Sequence, residues 1–210
     1  SMKQVFLSKK GISIENVPEP VIANKMIVVK NLFSCISPGT EMAGLKSIKS
    51  NILKKIYQNP SIVRNVLNVF KSQGVSKTHN VIKNKLGQFY EIGYSSSGII
   101  EKVGKDIKSL SVGDFVACAG GGIASHAEKI LVPENLAVKV NNPKNMDSYS
   151  TVALGAISLH SIRRLKPSLG DSCLVVGLGF IGQITIQLLR TNGVSVYGID
   201  PNPDFLKKAT

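Results

Sequence analysis

The chain lacks the features that mark small secreted proteins and membrane proteins. Its 210 residues include three cysteines, an odd number with no paired spacing, so the sequence contains no disulfide framework. No signal-peptide pattern opens the chain, and no apolar run is long enough to span a bilayer. We therefore expect a reduced, cytoplasmic protein that is long enough to bury a sizeable core and has no membrane partner.

Acidic residues are absent from one long segment. Between Met42 and Tyr90 there are nine Lys or Arg residues and no Asp or Glu, whereas the rest of the chain has 17 basic and 13 acidic residues. The formal net charge of +13 therefore belongs mainly to this segment. Such a segment can bind nucleic acid, anionic lipid or phosphorylated ligands, or it can be the solvated face of helices. Its predicted helices contain few aromatic residues, Tyr57 and Phe70, so we do not expect a base-stacking nucleic-acid platform.

Short runs with β character dominate the first two thirds of the chain. Alternating and β-branched residues, separated by glycine and proline, predict strands at 4–7, 12–17, 26–33, 93–103, 115–118 and 127–132. Strands of this length and spacing indicate a partly open β-barrel. Between the third and fourth of them the apolar residues recur with helical spacing. We interpret residues 45–90 as a helical insertion, with helices around 52–57, from Ser61 onward and around 80–86.

The last third of the chain has the order helix, strand, helix, strand. The helices are predicted at 148–165 and 179–191, and the largely apolar strands at 172–176 and 194–199. Apolar strands are typical of parallel sheets that are covered on both faces. A doubly wound domain has about six such strands, so we interpret this part as the beginning of a larger domain. We expect its exposed strand edges to favour a homo-oligomer or a domain-swapped dimer.

A Gly-x-Gly-x-x-Gly motif at 177–182 lies between the first of these strands and its helix. Gly177 permits a tight turn, Gly179 lets a pyrophosphate approach the backbone, and Gly182 lets helix and strand pack closely. Asp200 ends the second strand and can bind an adenosine ribose; its charge would repel a 2′-phosphate, which favours NAD over NADP. The alternative is a nucleotide-free unit whose glycines serve packing alone. The expected cofactor-binding residues are Gly177, Gly179, Phe180, Ile181, Gly182 and Asp200.

In the order of its parts the chain resembles the medium-chain dehydrogenase/reductase superfamily, the alcohol dehydrogenase-like enzymes. The matching stretches are 17–20 (VPEP), 98–104 (GIIEKVG), 112–116 (VGDFV) and the glycine motif. The resemblance implies a mixed β and α/β fold, with a GroES-like, partly open β-barrel at 1–147 that carries the basic helical insertion. The first βαβ unit of an incomplete Rossmann dinucleotide-binding domain would follow at 148–210.

A closer similarity to a bacterial subgroup rests on 36–41 (ISPGTE), 93–98 (GYSSSG) and 126–128 (HAE), and on the Lys-rich insertion. In that subgroup a second oxidoreductase module of the Gfo/Idh/MocA type commonly follows, and the genes often lie among those for surface polysaccharides. The similarity implies a larger parent protein that acts on a sugar or sugar-nucleotide. The 210-residue chain, with two strands of its cofactor domain, is expected to be inactive alone.

Zinc-dependent members of the superfamily bind the metal through a cysteine where this chain is expected to have Ser37 and through a histidine where it has Tyr94, followed by a glutamate where it has Ser95. Their third ligand falls where it has Leu154. Hydroxyl, phenol and isobutyl groups do not form a zinc site, which requires thiolate, imidazole or carboxylate ligands. Cys35 could exchange roles with Ser37, but one cysteine does not hold the ion. The four-cysteine loop of the superfamily's structural zinc is also missing from the sequence. We predict no zinc of either kind.

Three residues are candidates for the proton transfer that accompanies hydride transfer. Thr40 matches the superfamily's proton-relay hydroxyl, and Tyr94 would place a phenol near the vacated metal position. His126 follows a glycine cluster, and a histidine can act as acid or base near neutral pH. The structural alternatives are a turn residue for Thr40, a packing residue for Tyr94 and a surface or structural histidine for His126. Ser158 matches the nicotinamide-contacting hydroxyl, although helix capping or solvent exposure would also explain it.

Two functional hypotheses follow. The first is a zinc-independent, NAD(H)-dependent oxidoreductase that acts on a polar, sugar-like alcohol or carbonyl, in surface polysaccharide biosynthesis. The second is a non-catalytic binding or assembly module whose basic insertion docks an acidic partner or a nucleic acid. The glycine turn and Asp200 favour the first hypothesis, and the acid-free segment favours the second.

Overall fold

A computed structural model describes residues 1–8, 11–49 and 89–209 of the protein. The helices predicted around 52–57, from Ser61 onward and around 80–86 lie outside these residues. In the described part, no helix combines the length and the apolar character needed to cross a membrane.

The strands and helices follow the predicted order. In chain order the strands are β1 (Met2–Ser8), β2 (Gly11–Val17), β3 (Met26–Ser34), β4 (Tyr90–Glu91), β5 (Ser95–Val103), β6 (Phe115–Ala119), β7 (Lys129–Pro133), β8 (Ala137–Lys139), β9 (Ser172–Val176) and β10 (Ser195–Ile199). The helices are α1 (Pro38–Lys49), α2 (Met146–Tyr149), α3 (Val152–Leu165), α4 (Phe180–Thr191) and α5 (Pro203–Ala209). Four of these elements, β4, α1, β8 and α5, were not predicted.

Five antiparallel strands form a curled half-barrel sheet in the order β7-β3-β5-β6-β8. Alternate residues of a strand face the same side, so one apolar set forms the barrel core: Ile27, Val29, Ile100, Leu110, Val116, Cys118, Ala124, Ile130 and Val132. At the centre of β5 a Cβ on Gly98 would lie 2.2 Å from the carbonyl oxygen of Lys30, so β3 and β5 can pair here because residue 98 is glycine. The half-barrel confirms the GroES-like fold class.

A second antiparallel sheet, in the order β2-β1-β4, lies beside the barrel. β1 and β2 pair along their whole length, from Met2 opposite Val17 to Ser8 opposite Gly11. This sheet is joined to the barrel by an isolated bridge between Gln4 and Ala127. The bridge brings β1 against the loop that carries one of the candidate catalytic residues.

The helical region predicted at 148–165 is two helices rather than one. The chain bends between α2 and α3, where the Ser150 hydroxyl donates to the Asp147 carbonyl at 2.6 Å and the Thr151 hydroxyl donates to the Ser148 carbonyl at 2.7 Å. Hydroxyl side chains that bond nearby carbonyls compete with the helical hydrogen bonds, which explains the break. The division into domains at 147 and 148 falls inside α2 and stays a prediction.

The carboxyl-terminal part is a parallel βαβ unit. β9 and β10 pair in parallel from Ser172 opposite Ser195 to Val176 opposite Ile199, and α4 connects them. One face of the two strands packs on α3 and α4 through a small core of Ile162, Leu189 and Val194. The other face is exposed and apolar. Strands covered on both faces were expected, and the structure corrects this: along both strands exposed and partly buried residues alternate.

Candidate active site

The glycine turn joins β9 to α4, and its glycines shape it. Gly177 has a φ of +91°, which L side chains avoid, and its N–H donates to the Ile199 carbonyl at 2.8 Å. A Cβ on Gly182 would lie 2.0 Å from the carbonyl oxygen of Gly177, whereas a Cβ on Gly179 would meet no atom within 4 Å. Gly182 is therefore needed for packing, and Gly179 borders open space that a phosphate group can enter.

The start of α4 is suited to an anion. Gly179 is the N-cap residue and provides no side-chain hydrogen bond to the helix. The N–H groups of the first helical turn therefore lack a side-chain cap, and the helix dipole places positive potential there. Phe180 and Ile181 flank this end with half-exposed side chains. The turn and the helix start fit the pyrophosphate of a dinucleotide.

Asp200 faces the turn from the end of β10. Its Oδ2 accepts a 2.7 Å hydrogen bond from the N–H of Leu178, and its Oδ1 accepts one from the N–H of Asn202 at 2.8 Å. Each carboxylate oxygen has a further lone pair for a ribose hydroxyl. The strand, turn, helix, strand order thus brings Asp200 and the glycines together, as predicted.

Gln183 is a residue that the sequence reasoning missed. Its Nε2 donates to the carbonyl oxygens of Leu178 and Phe205, at 3.0 Å each, and so ties the glycine turn to α5. A glutamine one position after the last motif glycine carries no sequence signal of its own, because a solvent-facing glutamine would look the same. The bridge supports the turn without occupying the open space beside Gly179.

Ser158 lies inside the structure rather than at its surface. It is fully buried, and its hydroxyl is 3.1 Å from the Leu154 carbonyl and 3.3 Å from the Ile181 carbonyl. Neither helix capping nor solvent exposure explains it, so those two alternatives are wrong. The hydroxyl links α3 to the start of α4, next to the glycine turn. Contact of Ser158 with a nicotinamide stays a prediction.

A second polar cluster surrounds His126. The ring Nε2 lies 3.2 Å from Oε1 of Glu41, and the ring Nδ1 lies 2.8 Å from Oγ of Ser34. The two side chains of the His126–Glu41 pair are 9% and 14% exposed. His126 is therefore neither a surface residue nor isolated, and Glu41 and Ser34 are its partners.

Thr40 lies in the first turn of α1 and not in a loop turn. Ser37 precedes this helix, Pro38 starts it, and the Ser37 hydroxyl is 3.4 Å from that of Thr40. Glu41 Oε1 accepts the Ser37 N–H at 3.0 Å. Serine before a proline, followed by a glutamate, is a helix-start pattern that could have predicted α1 and the position of Glu41. The exposed Thr40 is thus the sequence neighbour of Glu41, which is a partner of His126.

Tyr94 lies just before β5, and the two residues that precede it, Ile92 and Gly93, contact His126. The His126 N–H donates to the Ile92 carbonyl at 2.9 Å, and Gly93 leaves room for the His126 ring, since a Cβ there would be 3.0 Å from ring atoms. The carbonyl of Tyr94 itself accepts the Gly120 N–H at 2.9 Å. The Tyr94 side chain is half-buried, and its catalytic role stays a prediction.

The residues at the superfamily's zinc positions are engaged in other contacts. The Ser95 hydroxyl donates to the Ser150 carbonyl at 2.6 Å and accepts the Ala153 N–H at 3.0 Å, which fastens the barrel to α3. Leu154 is buried in the same region. Among the residues that the structure describes, no three His, Cys, Asp or Glu side chains are grouped to hold a metal ion. The donor set does not fit zinc, and metal independence remains a proposal.

Cys35 directly follows β3, and its backbone N–H donates to the Ser95 carbonyl at 2.9 Å. Partial burial, and next the negative charge of Glu41, raise the pKa of its thiol above the ordinary value. A raised thiol pKa disfavours the thiolate that would bind a metal or attack an electrophile. Cys35 is therefore an inert neighbour of the site.

Comparisons with known proteins agree with this architecture, although no protein-family model matches the chain. The (R,R)-butanediol dehydrogenase of Bacillus subtilis is 26% identical over 143 residues, which are 56% of this chain and 41% of that protein. The D-guloside 3-dehydrogenase of Escherichia coli is 30% identical over 116 residues, 53% of this chain and 32% of that protein. The chain spans less than half the length of either relative.

A solved structure shows the same fold. A mycobacterial protein complexed with NADPH has a TM-score of 0.70 and 18% identity; the match covers 100% of this chain and 55% of that protein. A GroES-like half-barrel followed by a glycine-turn βαβ unit defines a dinucleotide-binding architecture. These relatives and this fold confirm the resemblance of the chain to the medium-chain dehydrogenase/reductase superfamily, the alcohol dehydrogenase-like proteins.

Proposed function

We propose that this chain is part of a zinc-independent, NAD(H)-dependent cytoplasmic oxidoreductase. The observation that carries the proposal is the glycine turn with Asp200 hydrogen-bonded to it: the Leu178 N–H lies 2.7 Å from Oδ2 of Asp200. A helix start without a side-chain cap and a ribose-binding carboxylate, joined in one turn, form the adenosine half of a dinucleotide site.

The residues that would hold the cofactor can be assigned. The N–H groups at the start of α4, from Gly179 through Ile181, would bind the pyrophosphate, and Asp200 would bind the adenosine ribose. When bound, the nicotinamide would accept or donate hydride. The fixed charge of Asp200 disfavours a 2′-phosphate, so we propose NAD rather than NADP. The NADPH of the mycobacterial structure belongs to a protein that is 18% identical and bears on the fold alone.

We propose that His126 supplies or removes the proton that accompanies hydride transfer. The ring is largely shielded from solvent and paired with Glu41, which suits a group that exchanges a proton within a site. Thr40 precedes Glu41 in α1 and Tyr94 follows Gly93, which packs against the His126 ring, and we assign both residues to orienting the reacting hydroxyl or carbonyl group. No step requires zinc, because hydrogen-bond donors would stabilise charge on the reacting oxygen.

For the substrate we propose a polar, sugar-like alcohol or carbonyl. Two relatives are named as dehydrogenases of a diol and of a guloside, and each matches more than half of this chain. A role of the parent protein in surface polysaccharide biosynthesis is a further proposal, supported by the subgroup similarity. The structure contains two parallel strands where a doubly wound domain has about six, so we propose that the 210-residue chain alone turns over little substrate.

The experiment is an assay of NADH oxidation with a panel of sugar carbonyls. It compares the 210-residue chain with a longer version that continues past Thr210. We expect turnover in the longer version, loss of turnover in its His126→Gln variant, and little activity of the short chain. Absence of NADH-dependent turnover in the longer version would refute the oxidoreductase proposal, and equal activity of both versions would refute the incompleteness of the short chain.

A further inference from the structure

The His126 ring is held at both of its nitrogens. Nε2 lies 3.2 Å from Oε1 of Glu41, and Nδ1 lies 2.8 Å from Oγ of Ser34. These two partners come from different elements, since Glu41 lies in α1 and Ser34 ends β3. The ring is therefore held by two separate partners. Substituting Glu41 removes the partner of Nε2, and substituting Ser34 removes the partner of Nδ1.

The backbone around His126 is fixed as well. Its N–H donates to the Ile92 carbonyl, and its carbonyl accepts the Val5 N–H, at 2.9 Å each. Asn31 Nδ2 donates to the carbonyls on either side of His126, those of Ser125 at 3.2 Å and Ala127 at 2.8 Å. A ring on so constrained a backbone has little freedom to move away from Glu41 or Ser34.

The chemistry of the two partners decides where the ring carries its proton. An ionised carboxylate only accepts hydrogen bonds, so Nε2 must be the donor to Glu41. A serine hydroxyl can donate or accept, so Nδ1 of the neutral ring can accept from Ser34. In a neutral imidazole one nitrogen donates and the other accepts, and the contacts of one nitrogen therefore determine the state of the other.

We propose that Glu41 and Ser34 are positioning residues that hold His126 as the neutral Nε2–H tautomer, so that the ring gains and loses its second proton at Nδ1, through Ser34. In protonation, the Ser34 hydroxyl gives its proton to Nδ1 and takes one from water. In deprotonation both transfers reverse. Both ring nitrogens already have partners, so the proton that His126 exchanges in the proposed reaction passes to or from the reacting group through Ser34 and water rather than by direct contact.

The surroundings of Ser34 supply the route to water. Ser34 and His126 line an open depression between β1 and β3, together with Lys3 and Glu128. The depression allows solvent to reach Oγ of Ser34, whereas Glu41 Oε1 is already shared between His126 and the Ser37 N–H. A catalytic role for this arrangement rests on the proposed function, whereas the assignment of the Nε2–H tautomer does not.

The test is ¹⁵N NMR of the histidine rings in the 210-residue chain at alkaline pH, where a free imidazole is neutral. The chain has three histidines, His79, His126 and His160, so a His126→Gln variant assigns the signal. We expect Nε2 of His126 to be the protonated nitrogen. A ring that is mostly Nδ1–H in the unsubstituted chain would overturn the proposal without any variant.

Substitutions then separate the two anchors. Glu41→Leu should give a mixture of tautomers, and Glu41→Gln should restore the Nε2–H form because the amide oxygen still accepts. Ser34→Ala should move the Nδ1 signal to higher chemical shift and leave Nε2 protonated. Glu128→Leu removes a carboxylate that bonds the Lys3 N–H and not the ring, so it is the matched control. An unchanged His126 ring in Glu41→Leu would contradict the assigned role of Glu41.

The outcome is separable from the proposed function. If the tautomer is as stated but the His126→Gln variant of the longer version keeps full turnover, His126 is not the proton-transfer group and the positioning inference stands. If the tautomer is wrong, the positioning inference fails whatever the turnover of the longer version. If the tautomer is as stated and His126 is the proton-transfer group, Glu41→Leu should lower kcat more than it raises KM. Glu41→Gln should then recover part of the lost kcat.

Discussion

The Leu178 N–H donates to Oδ2 of Asp200 at 2.7 Å, although the two residues are 22 positions apart in the sequence. The bond joins the glycine turn after β9 to the end of β10. The carboxylate expected to bind the adenosine ribose therefore also holds the turn in place. Substitutions in this region should separate effects on the fold from effects on the cofactor.

Gly182→Ala should damage the fold. A Cβ at this position would lie 2.0 Å from the carbonyl oxygen of Gly177, which belongs to the backbone and cannot move aside cheaply. We expect a loss of about 1–3 kcal/mol in the free energy of unfolding, measured by urea denaturation. A variant as stable as the original chain would show that the turn and α4 do not pack at this distance.

Gly179→Ala is the matched variant with little effect on stability. A Cβ there meets no atom within 4 Å, and the residue has a φ of −65°, which alanine adopts readily. We expect a change within about 1 kcal/mol in the free energy of unfolding, because alanine restricts the unfolded chain but is a poorer N-cap residue than glycine. Binding of ADP-ribose should nevertheless weaken, since the new methyl group occupies the space of the phosphate. Unchanged ADP-ribose binding would contradict the assignment of that space.

Asp200→Asn should weaken the discrimination against a 2′-phosphate. The amide keeps an acceptor for the Leu178 N–H but removes the negative charge. The ratio of affinities for ADP-ribose and its 2′-phosphorylated form should fall about tenfold, equivalent to about 1.4 kcal/mol. Isothermal titration of the two ligands measures it, and an original chain that prefers the 2′-phosphorylated form would contradict the choice of NAD.

Raising the pH should destabilise the barrel through Cys118. Burial raises the pKa of this thiol from its ordinary value of 9.0 to about 12. A thiol that stays neutral in the folded state stabilises the fold fully below the unfolded pKa, and this contribution is lost as the pH rises toward the folded value. Between these limits the free energy of unfolding should fall by about 1.4 kcal/mol per pH unit, measured by urea denaturation. Cys118→Ala should show a shallower slope, and identical slopes would refute the assignment.

The longer version of the protein should contain no stoichiometric zinc. The hydroxyl, phenol and alkyl groups at Ser37, Tyr94 and Leu154 are poor ligands, and Ser95 already makes two hydrogen bonds. Elemental analysis of the purified protein should give far less than one zinc per chain, and a chelator should leave NADH oxidation unchanged. One tightly bound zinc per chain would overturn the prediction.

The exposed face of the βαβ unit should cause self-association of the 210-residue chain. Leu174, Val176, Tyr197 and Ile199 are all more than half exposed on this face. Sedimentation at increasing concentration should reveal dimers or larger species, and Val176→Lys should reduce them. Leu169→Lys is the control, because Leu169 is exposed outside the two strands. A chain that stays strictly monomeric at high concentration would contradict this expectation.

The glycine turn was predictable because its determinants are local. The positions of Gly177, Gly182 and Asp200 are set by a strand, a turn, a helix and a second strand, which are consecutive in the sequence. The bulged register of β3 against β5 and the bonds of Asn31 were not predictable, because they depend on which strands meet. These long-range contacts bring Glu41 to His126, 85 positions away, so the sequence indicated His126 but not its partners.

Secondary-structure errors had local physical causes. The helix predicted as one at 148–165 breaks because the hydroxyls of Ser150 and Thr151 bond nearby carbonyls. The strand β8 has three residues and carries too little pattern to be recognised. The start of α1 was encoded in Ser37, Pro38 and Glu41, and treating Thr40 as a turn residue missed it.

NADH titration of the ¹⁵N-labelled 210-residue chain, followed by two-dimensional NMR, tests the dinucleotide site most directly. The amide signals of Gly177, Gly179, Phe180 and Ile181 should shift with increasing NADH, together with those around Asp200, and Gly179→Ala should diminish the shifts. Unchanged amide signals at these positions at saturating NADH, or shifts confined to the basic segment, would contradict a dinucleotide site at the start of α4.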